Sequence, residues 1–509
     1  MAMIQVKTEN GWLEGLEVQP GISMFRGVPY AKPPVGELRW RAPKPAENWE
    51  GIRPAKEWPA TNMHDPRSRN DSMFKEEYVI PHTISEDCLY LNIWTPAEST
   101  QDKLPVCIYF HGGAAHILRP YLDGVGFAKN GVILVTVGFR TEFWGGFAHP
   151  VLSEESEKDF GVYTSGNNSL LDKVEAVKWV KRNAAAFGGD PDRVSVFGQS
   201  AGGTATQRVS TTPLLKGQLF AAVMQSAGGF DMRYMTNAVS REEAEAHGEE
   251  LLAKMGVKTI EEARQLDAAF IMNAVGGGPE GGMRWYCAKP DGWSLLDTPE
   301  GMAFKGQNPA IPTMIGATKH EGFGGPAGTT PLERFMKDMN RNYGKYAEEY
   351  LKIAGLTDDP ELLRFICKND NGDLKLATFM AWVDRQNELG RSPYVYMFTK
   401  ECPDGQGHGA FHGGEHGYVF QTLHHYKAAY DDSDRRLSEV MSKYWANFFT
   451  YGDPNGAGLP KWTPTSDMQK DPWLMELGLR VGMVRPAETK TSEFLRRLSY
   501  FMARKRAEG

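Results

Sequence analysis

The chain has 509 residues, 41% of them hydrophobic and 11% aromatic, which is enough to bury a large core. Its formal net charge of −7 leaves no surplus of lysine or arginine to neutralise phosphates. Nucleic acid and acidic membrane surfaces are therefore excluded as expected partners, and a small molecule is expected instead.

The beginning of the chain does not have the pattern of an export signal, because no basic stretch followed by an apolar one occurs there. No later apolar run reaches the roughly 18 residues that a membrane span needs. The cysteines are odd in number and far apart: Cys88, Cys107, Cys287, Cys367 and Cys402. This spacing disfavours a disulfide framework, so we expect a cytoplasmic protein without a membrane span.

Between residues 104 and 230 a short apolar, β-branched run repeatedly ends in a glycine-containing loop and is followed by a helical stretch. Such runs occupy 105–110, 132–137, 194–197 and 220–224. Continuous apolar strands that alternate with helices predict a mostly parallel sheet covered on both faces. Active sites of such sheets lie at the carboxyl ends of the strands, where these loops occur.

The run at 194–197 leads into the sequence G-Q-S-A-G at 198–202, which matches the G-x-S-x-G nucleophile elbow. In this elbow a tight strand-to-helix turn exposes a serine hydroxyl, and glycines on either side supply the necessary clearance. Ser200 is thus the candidate nucleophile. The motif alone is weak, so the assignment depends on the other groups that acyl transfer needs.

From about 230 to 310 the pattern becomes helical. The sequences S-R-E-E at 240–243 and T-I-E-E at 259–262 match the capping box, which predicts helices beginning at Ser240 and Thr259. Apolar stripes at helical spacing predict two more helices near 437–448 and 494–502, the last with an oligomer contact as its alternative role. No linker, repeat or low-complexity tract divides the chain. We interpret residues 1–509 as a single domain with helical insertions at about 230–310 and 330–390.

An acyl-transfer site also needs a base, a group that orients the base, and N–H donors for the oxyanion. The sequence H-G-G-A at 111–114 follows a predicted strand and matches the loop that supplies such donors. Glu321 follows another predicted strand, and His412 lies in a glycine-rich loop. The order serine, glutamate, histidine is that of α/β-hydrolases.

Ordered blocks along nearly the whole chain resemble the type-B carboxylesterase/lipase family, which includes liver-type carboxylesterases, cholinesterases and para-nitrobenzyl esterases. They lie at 25–40, 85–93, 148–150, 166–172, 187–191 and 452–455, besides the oxyanion loop, the serine elbow and the segments of Glu321 and His412. The resemblance implies an α/β-hydrolase fold: a central, mostly parallel twisted sheet flanked by helices, with insertions around an active-site gorge. It implies hydrolysis of neutral carboxylic esters through an acyl-enzyme, with no cofactor.

Carried over position by position, the resemblance implies that Ser200 is the nucleophile, His412 the general base and Glu321 the carboxylate that orients it. The backbone N–H groups of Gly113, Ala114 and Ala201 would form the oxyanion hole. Activity should fall at acid pH as the imidazole becomes protonated.

The chain departs from the family at several positions. Ala114 replaces the usual third glycine of the oxyanion loop, which suggests tolerance of a hindered alcohol. Gln199 replaces the usual glutamate beside the nucleophile and so disfavours choline esters.

The resemblance also suggests supporting residues. Structural ion pairs would join Arg26 to Glu86 and Arg140 to Asp172. Ser226 and Glu415 match positions that support the site through hydrogen bonds.

Other interpretations stay open. A non-catalytic interaction protein on the same scaffold is one, although such relatives characteristically lose a triad member, and an amide or lactone hydrolase with the same triad is another. His408, His412 and His416 are four residues apart, as helical metal ligands would be. Glycines through this segment make it a poor helix, so no metal is expected there.

Overall fold

The computed structural model describes residues 2–64, 80, 82–113, 118, 120–231, 239–275, 285–321, 340, 343–354, 360–403, 407–465, 473–486 and 489–508. The strands are β1 Gln5–Thr8, β2 Gly11–Glu14, β3 Leu16–Gln19, β4 Ile22–Pro29, β5 Ile52–Pro54, β6 Tyr90–Thr95, β7 Leu104–Phe110, β8 Ile133–Val137, β9 Gly189–Gln199, β10 Ala222–Gln225, β11 Thr313–Thr318, β12 Tyr394–Phe398, β13 Leu474–Leu477 and β14 Val481–Val484.

The helices are α1 Val125–Lys129, α2 Glu142–Gly146, α3 Pro150–Phe160, α4 Asn168–Asn183, α5 Ala201–Thr211, α6 Arg241–Lys254, α7 Ile260–Arg264, α8 Ala268–Val275, α9 Pro299–Phe304, α10 Ala347–Ala354, α11 Pro360–Glu388, α12 His416–Val419, α13 Asp432–Tyr451 and α14 Lys490–Glu508. Short 3₁₀ turns add Gly36–Leu38, Pro120–Leu122, Ala184–Phe187, Pro213–Leu215, Gly344–Tyr346 and Leu423–His425.

Within the described residues, one large sheet has eleven strands in the order β14-β13-β12-β11-β10-β9-β7-β8-β6-β4-β3. From β8 through β7, β9, β10, β11 and β12 to β13, all neighbours are parallel. Antiparallel pairs occur only toward its two edges. A separate small sheet joins β1, β2 and β5. The predicted mostly parallel sheet flanked by helices is confirmed.

The apolar runs of the sequence become strands because both faces of the central sheet are covered. Successive residues of a strand point to opposite faces. On β7, Tyr109 belongs to the core cluster that α13 completes through Trp445, whereas Ile108 and Phe110 belong to the cluster that α4 completes through Trp179. Neither face meets solvent, so such a strand is apolar at nearly every position.

Both predicted helix starts are observed. Ser240 forms a complete capping box, in which its hydroxyl accepts from the Glu243 N–H and the Glu243 carboxylate accepts from the Ser240 N–H. At Thr259 only half of the box forms, because the Glu262 carboxylate accepts from the N–H of Lys258 instead. α13 and α14 account for the two apolar stripes.

Helices α6 to α9 lie between residues 241 and 304, and α10 and α11 lie between 347 and 388. The description of the chain as one domain with insertions stays a prediction. Within the described part of the chain, we find no helix with the length and apolarity that crossing a bilayer requires.

One of the two expected ion pairs is present and the other is wrong. Arg140 forms a bidentate salt bridge with Asp172, with N–O distances of 2.6 and 2.9 Å. Glu86, however, pairs with Arg39 at 2.6 and 2.7 Å, while Arg26 lies over the ring of Trp58. The predicted partner was wrong because adjacency in the fold depends on how the loop after β4 turns, which local sequence does not specify.

Candidate active site

Ser200 lies between β9 and α5 in a strained turn. Its φ of 59° and ψ of −126° place it in a region that non-glycine residues rarely adopt. The N–H of Ser200 donates to the carbonyl of Gln225 on β10 at 2.8 Å, and its carbonyl accepts from the Thr204 N–H at 3.1 Å. The side chain is half-buried and does not cap α5. The turn therefore holds a serine hydroxyl away from its own helix.

Two glycines permit this turn. A Cβ on Gly202 would lie 2.0 Å from the carbonyl oxygen of Phe110, and one on Gly198 would lie 2.5 Å from the backbone of Gly202. Real side chains do not tolerate such approaches. The clearance role that the motif predicts for both glycines is confirmed.

The loop after β7 packs directly on the serine turn. A Cβ on Gly112 would lie 2.4 Å from the carbonyl oxygen of Gln199 and 3.0 Å from the Cβ of Ser200. Gly113 is exposed, with a φ of 52°. Ala201 is the first residue of α5, where helical N–H groups have no intrahelical partner. Ala114 lies outside the described residues.

A short backbone pairing joins the loops that carry the glutamate and the histidine. His320 forms an isolated parallel bridge with Phe411. The N–H of His320 donates to the carbonyl of Ala410 at 3.0 Å, and the N–H of Ala410 donates to Nδ1 of His320 at 3.0 Å. Because both loops advance by one residue beyond this bridge, Glu321 and His412 lie side by side.

Oε2 of Glu321 is hydrogen-bonded to Nδ1 of His412, and both residues are buried. The other carboxylate oxygen of Glu321 accepts from the N–H of Thr318 at 3.0 Å. Burial opposes a charge on Glu321, yet the pKa of its carboxyl is lowered, because His412 and Lys375 favour the ionised form and outweigh desolvation. The carboxylate is therefore charged at neutral pH.

The second ring nitrogen of His412 faces the serine turn. Nε2 of His412 lies 3.2 Å from Nε2 of Gln199, the residue directly before Ser200. With a carboxylate on Nδ1, the neutral ring carries its proton there and presents a lone pair at Nε2. An amide N–H of Gln199 can donate to that lone pair. No local pattern in the chain indicates this contact, since it spans more than two hundred residues.

A second layer of polar groups surrounds Glu321. Ser226, which has a φ of 53°, directs its hydroxyl to Oε1 of Glu415 at 3.4 Å. The carbonyl of Ser226 accepts from Nζ of buried Lys375 at 2.7 Å, and Asp231 lies 3.7 Å from the same ammonium. Lys375 was missed by sequence reasoning, because a lysine on a helix ordinarily faces solvent.

The two buried glutamates near His412 differ in charge. Burial, and then the negative charge of Glu321, raise the pKa of Glu415 to about 8. Glu415 is thus a neutral acid at pH 7, whereas Glu321 is ionised. Environments that separate two carboxyl groups in this way are typical of active sites.

The histidines four residues apart do not meet at a metal site. His416 binds the carbonyl of Gly413 and the hydroxyl of Tyr109, and His412 binds Glu321. In the described part of the chain, no group of three or more His, Cys, Asp or Glu side chains is arranged to hold a metal ion.

Comparisons with known proteins identify the family of this chain. The profile of the carboxylesterase family matches residues 2–495. Fumonisin B1 esterase of Sphingopyxis macrogoltabida is 31% identical over 93% of this chain and 86% of its own length. Liver carboxylesterase of Sus scrofa is 31% identical over 90% of this chain and 85% of its own length.

Solved structures are similar over almost the whole chain. A carboxylesterase of Geobacillus stearothermophilus is 29% identical, with a TM-score of 0.76 over 98% of this chain and 100% of that one. A thermophilic PNB esterase is 26% identical, with a TM-score of 0.80 over 96% of this chain and 99% of that one. The chain belongs to the carboxylesterase family and is a carboxylic ester hydrolase with the α/β-hydrolase fold.

Proposed function

We propose that Ser200, His412 and Glu321 are the nucleophile, general base and orienting carboxylate of a serine carboxylesterase. One arrangement carries the proposal: the imidazole lies between a buried, ionised carboxylate on Nδ1 and, on Nε2, the residue next to the strained serine. A base held on one nitrogen and directed by the other toward a hydroxyl is the arrangement that serine catalysis needs.

Glu321 fixes the tautomer of the base. An ionised carboxylate only accepts hydrogen bonds, so Nδ1 of His412 keeps its proton and Nε2 presents the lone pair that accepts the serine proton. As Oγ of Ser200 attacks the ester carbonyl carbon, its proton passes to Nε2. The imidazolium that forms is stabilised by the adjacent carboxylate.

The reaction proceeds in two halves. The imidazolium returns its proton to the alkoxy oxygen as the bond from that oxygen to the carbonyl carbon breaks, which releases the alcohol and leaves the acyl group on Ser200. Water then gives its proton to Nε2 of His412 and attacks the acyl carbon. Collapse of this second intermediate restores the serine hydroxyl and releases the carboxylic acid.

The oxyanion of each tetrahedral intermediate would accept hydrogen bonds from the N–H groups of Gly113, Ala114 and Ala201. The packing of Gly112 against Ser200 and the position of Ala201 in the first turn of α5 support this assignment. Each donor of this kind contributes about 2.7 to 4 kcal/mol of transition-state stabilisation.

The proposed substrate is a small, neutral carboxylic ester. Gln199 offers no negative charge beside the base, so a cationic alcohol gains no attraction there. Because Ala114 replaces the usual glycine of the oxyanion loop, the enzyme is expected to accept esters of hindered alcohols. Esters of increasing alcohol size, compared between wild type and Ala114→Gly, test this part separately.

We also propose a cytoplasmic location. Among the cysteines that the structure describes, Cys88, Cys107, Cys287 and Cys402 form no disulfide, and three of these are buried. Several cysteines without a disulfide are typical of a reducing compartment.

The decisive experiment uses Ser200→Ala with a chromogenic p-nitrophenyl ester and a fluorophosphonate probe. Ser210→Ala is the matched control, since Ser210 is a half-buried serine on α5 whose hydroxyl bonds the carbonyl of Gln207. We expect Ser200→Ala to lose both turnover and labelling, and Ser210→Ala to keep both. Wild-type turnover in Ser200→Ala would overturn the proposal.

A further inference from the structure

His416 is a buried histidine with both ring nitrogens engaged. Its Nδ1 lies 2.7 Å from the carbonyl oxygen of Gly413, and its Nε2 lies 2.8 Å from the hydroxyl of Tyr109. Both side chains are almost fully buried, at 2% exposed for His416 and 1% for Tyr109. Gly413 directly follows His412, the proposed base. The contact therefore links the loop of the base to another element of the fold.

The direction of each hydrogen bond follows from the partners. A carbonyl oxygen only accepts, so Nδ1 of His416 carries the ring proton and Nε2 is an acceptor. The hydroxyl of Tyr109 must then donate to Nε2. One arrangement of protons satisfies the whole chain from Tyr109 through His416 to the carbonyl of Gly413.

The surroundings keep this arrangement fixed at neutral pH. Burial lowers the pKa of His416 to about 4, with nearby His412 acting in the same direction. Burial also raises the pKa of Tyr109 well above its ordinary value. At neutral pH His416 thus stays a neutral acceptor and Tyr109 stays a protonated donor.

Tyr109 stands at the other end of the link, one residue before the end of β7. That strand continues through Phe110 and His111 into Gly112 and Gly113, the loop that packs on Ser200. The ring of Tyr109 is held by edge-on contacts with Phe197 on β9 and with Phe420 after α12. The hydroxyl is therefore presented from a rigid strand.

We propose that Tyr109 and His416 form a positioning pair that holds the loop of His412 in register with the strand leading into the oxyanion loop. The inference rests on the proposed function, since it assigns the pair to the geometry of that site. Base and oxyanion loop then keep a constant separation, because one hydrogen-bonded bridge connects their supports.

A purely stabilising role does not account for the polar groups. The pair lies among aromatic and aliphatic side chains of one core cluster. Two apolar side chains of similar shape would be about as stable there, because burying a polar pair costs desolvation that its hydrogen bond only offsets. A hydrogen bond adds a fixed orientation, and a general base has to be held in a fixed orientation toward the proton that it accepts.

The test compares Tyr109→Phe with Tyr418→Phe. Tyr418 is also buried, lies on α12, and donates its hydroxyl to Asp434 at 2.6 Å. Its variant therefore also removes a buried tyrosine hydroxyl close to His416, but on the side that faces α13. We expect kcat of Tyr109→Phe to fall about ten- to a hundredfold with KM unchanged, since misplacement by about 1 Å has that effect. Inactivation by a fluorophosphonate should slow by the same factor. Tyr418→Phe should lower the melting temperature and leave kcat as it is.

Two further variants keep the test decisive. If Tyr109→Phe does not fold, His416→Asn gives the same comparison, because its amide retains a donor for Gly413 and loses the acceptor for Tyr109. The double variant Tyr109→Phe/His416→Leu should melt near wild type and still show the fall in kcat. If kcat of these variants lies within twofold of kcat of Tyr418→Phe, the proposed positioning role of the pair is overturned. Absence of labelling at wild-type Ser200 would instead overturn the proposed function.

Discussion

At the residue scale, the site depends on how burial distributes charge among groups close to His412. Glu321 keeps its charge because the imidazole and Lys375 favour it, whereas Glu415, equally buried, has a raised pKa of about 8. Of these two carboxyl groups, Glu321 alone thus acts on the base as a negative charge at neutral pH. A second one would compete for the imidazolium and repel the first.

The raised pKa of Glu415 predicts a stability cost that grows with pH. In the unfolded chain this carboxyl ionises near its ordinary value, whereas the folded protein keeps it protonated until about pH 8. Folded molecules therefore bind the extra proton between these values, and stability falls as pH rises through that window. Glu415→Gln stays neutral at every pH. Its unfolding free energy relative to wild type should therefore rise by on the order of a few kcal/mol from pH 5 to pH 8.

Urea unfolding of both proteins at pH 5 and pH 8 measures this effect. The difference between the two proteins cancels the titration of all other groups. An equal free-energy gap at both pH values would contradict a protonated Glu415.

Gln199 predicts a second pH effect. A carboxylate in place of its amide, which lies 3.2 Å from Nε2 of His412, would favour the protonated imidazole. In Gln199→Glu the acid limb of the kcat/KM profile should therefore move toward higher pH by about one unit. Gln199→Met, which adds no charge, should leave the limb in place. The measurement is kcat/KM on one neutral ester from pH 4.5 to 9, and an unmoved limb in Gln199→Glu would refute the argument.

At the element scale, the site forms where the ends of neighbouring strands and the loops that follow them lie together. β7 and β9 run parallel and end together, so the glycine loop after one lies on the serine turn after the other. The Glu321 and His412 loops are joined by the bridge between His320 and Phe411. Four chain segments are thus fixed by backbone contacts before any catalytic side chain is considered.

Gly202→Ala tests the closeness of these elements. The new methyl group would lie 2.0 Å from the carbonyl oxygen of Phe110, so the end of β7 or the start of α5 has to move. We expect a loss of about 3 kcal/mol or more in unfolding free energy, together with most of the activity. Gly482→Ala is the control, since a methyl group there meets nothing within 4 Å, and it should change stability by less than about 0.5 kcal/mol. Thermal unfolding and ester turnover of both variants decide the point.

At the scale of the whole molecule, buried ion pairs join segments far apart in the chain. Arg39 binds Glu86 and also donates to the carbonyls of Ala263 and Leu266, which surround α7. The N-terminal segment is thereby attached to the helical region between residues 241 and 304. This one arginine connects parts of the chain more than two hundred residues apart.

Removing that arginine should be costly. Arg39→Met leaves Glu86 as an uncompensated buried charge and three carbonyls without their donor, so we expect a loss of about 3 to 5 kcal/mol in unfolding free energy. Arg435→Met, which loses a solvent-exposed ion pair with Asp432, should cost less than about 1 kcal/mol. Equal losses in urea unfolding would show that the buried pair has no special role.

Much of this protein is predictable from sequence because its signals are local. Continuous apolar runs are required wherever a strand is covered on both faces, so the strands at 104–110, 133–137, 189–199 and 222–225 could be expected. The glycines around Ser200 and the caps at Ser240 and Thr259 act within a few residues of their own positions. The candidate residues Ser200, Glu321 and His412 were predicted from motif, chain order and the resemblance to the carboxylesterase family, and their catalytic roles stay a proposal.

Other features were decided only by the tertiary structure. Arg39 rather than Arg26 pairs with Glu86, Gln199 reaches His412, and Tyr109 reaches His416 across 307 positions of the chain. Each of these contacts depends on the register and turning of loops that pack together after the sheet has formed. A side chain's own neighbours in sequence carry no information about that register, so the chain alone determines which groups are available, and folding determines which of them meet.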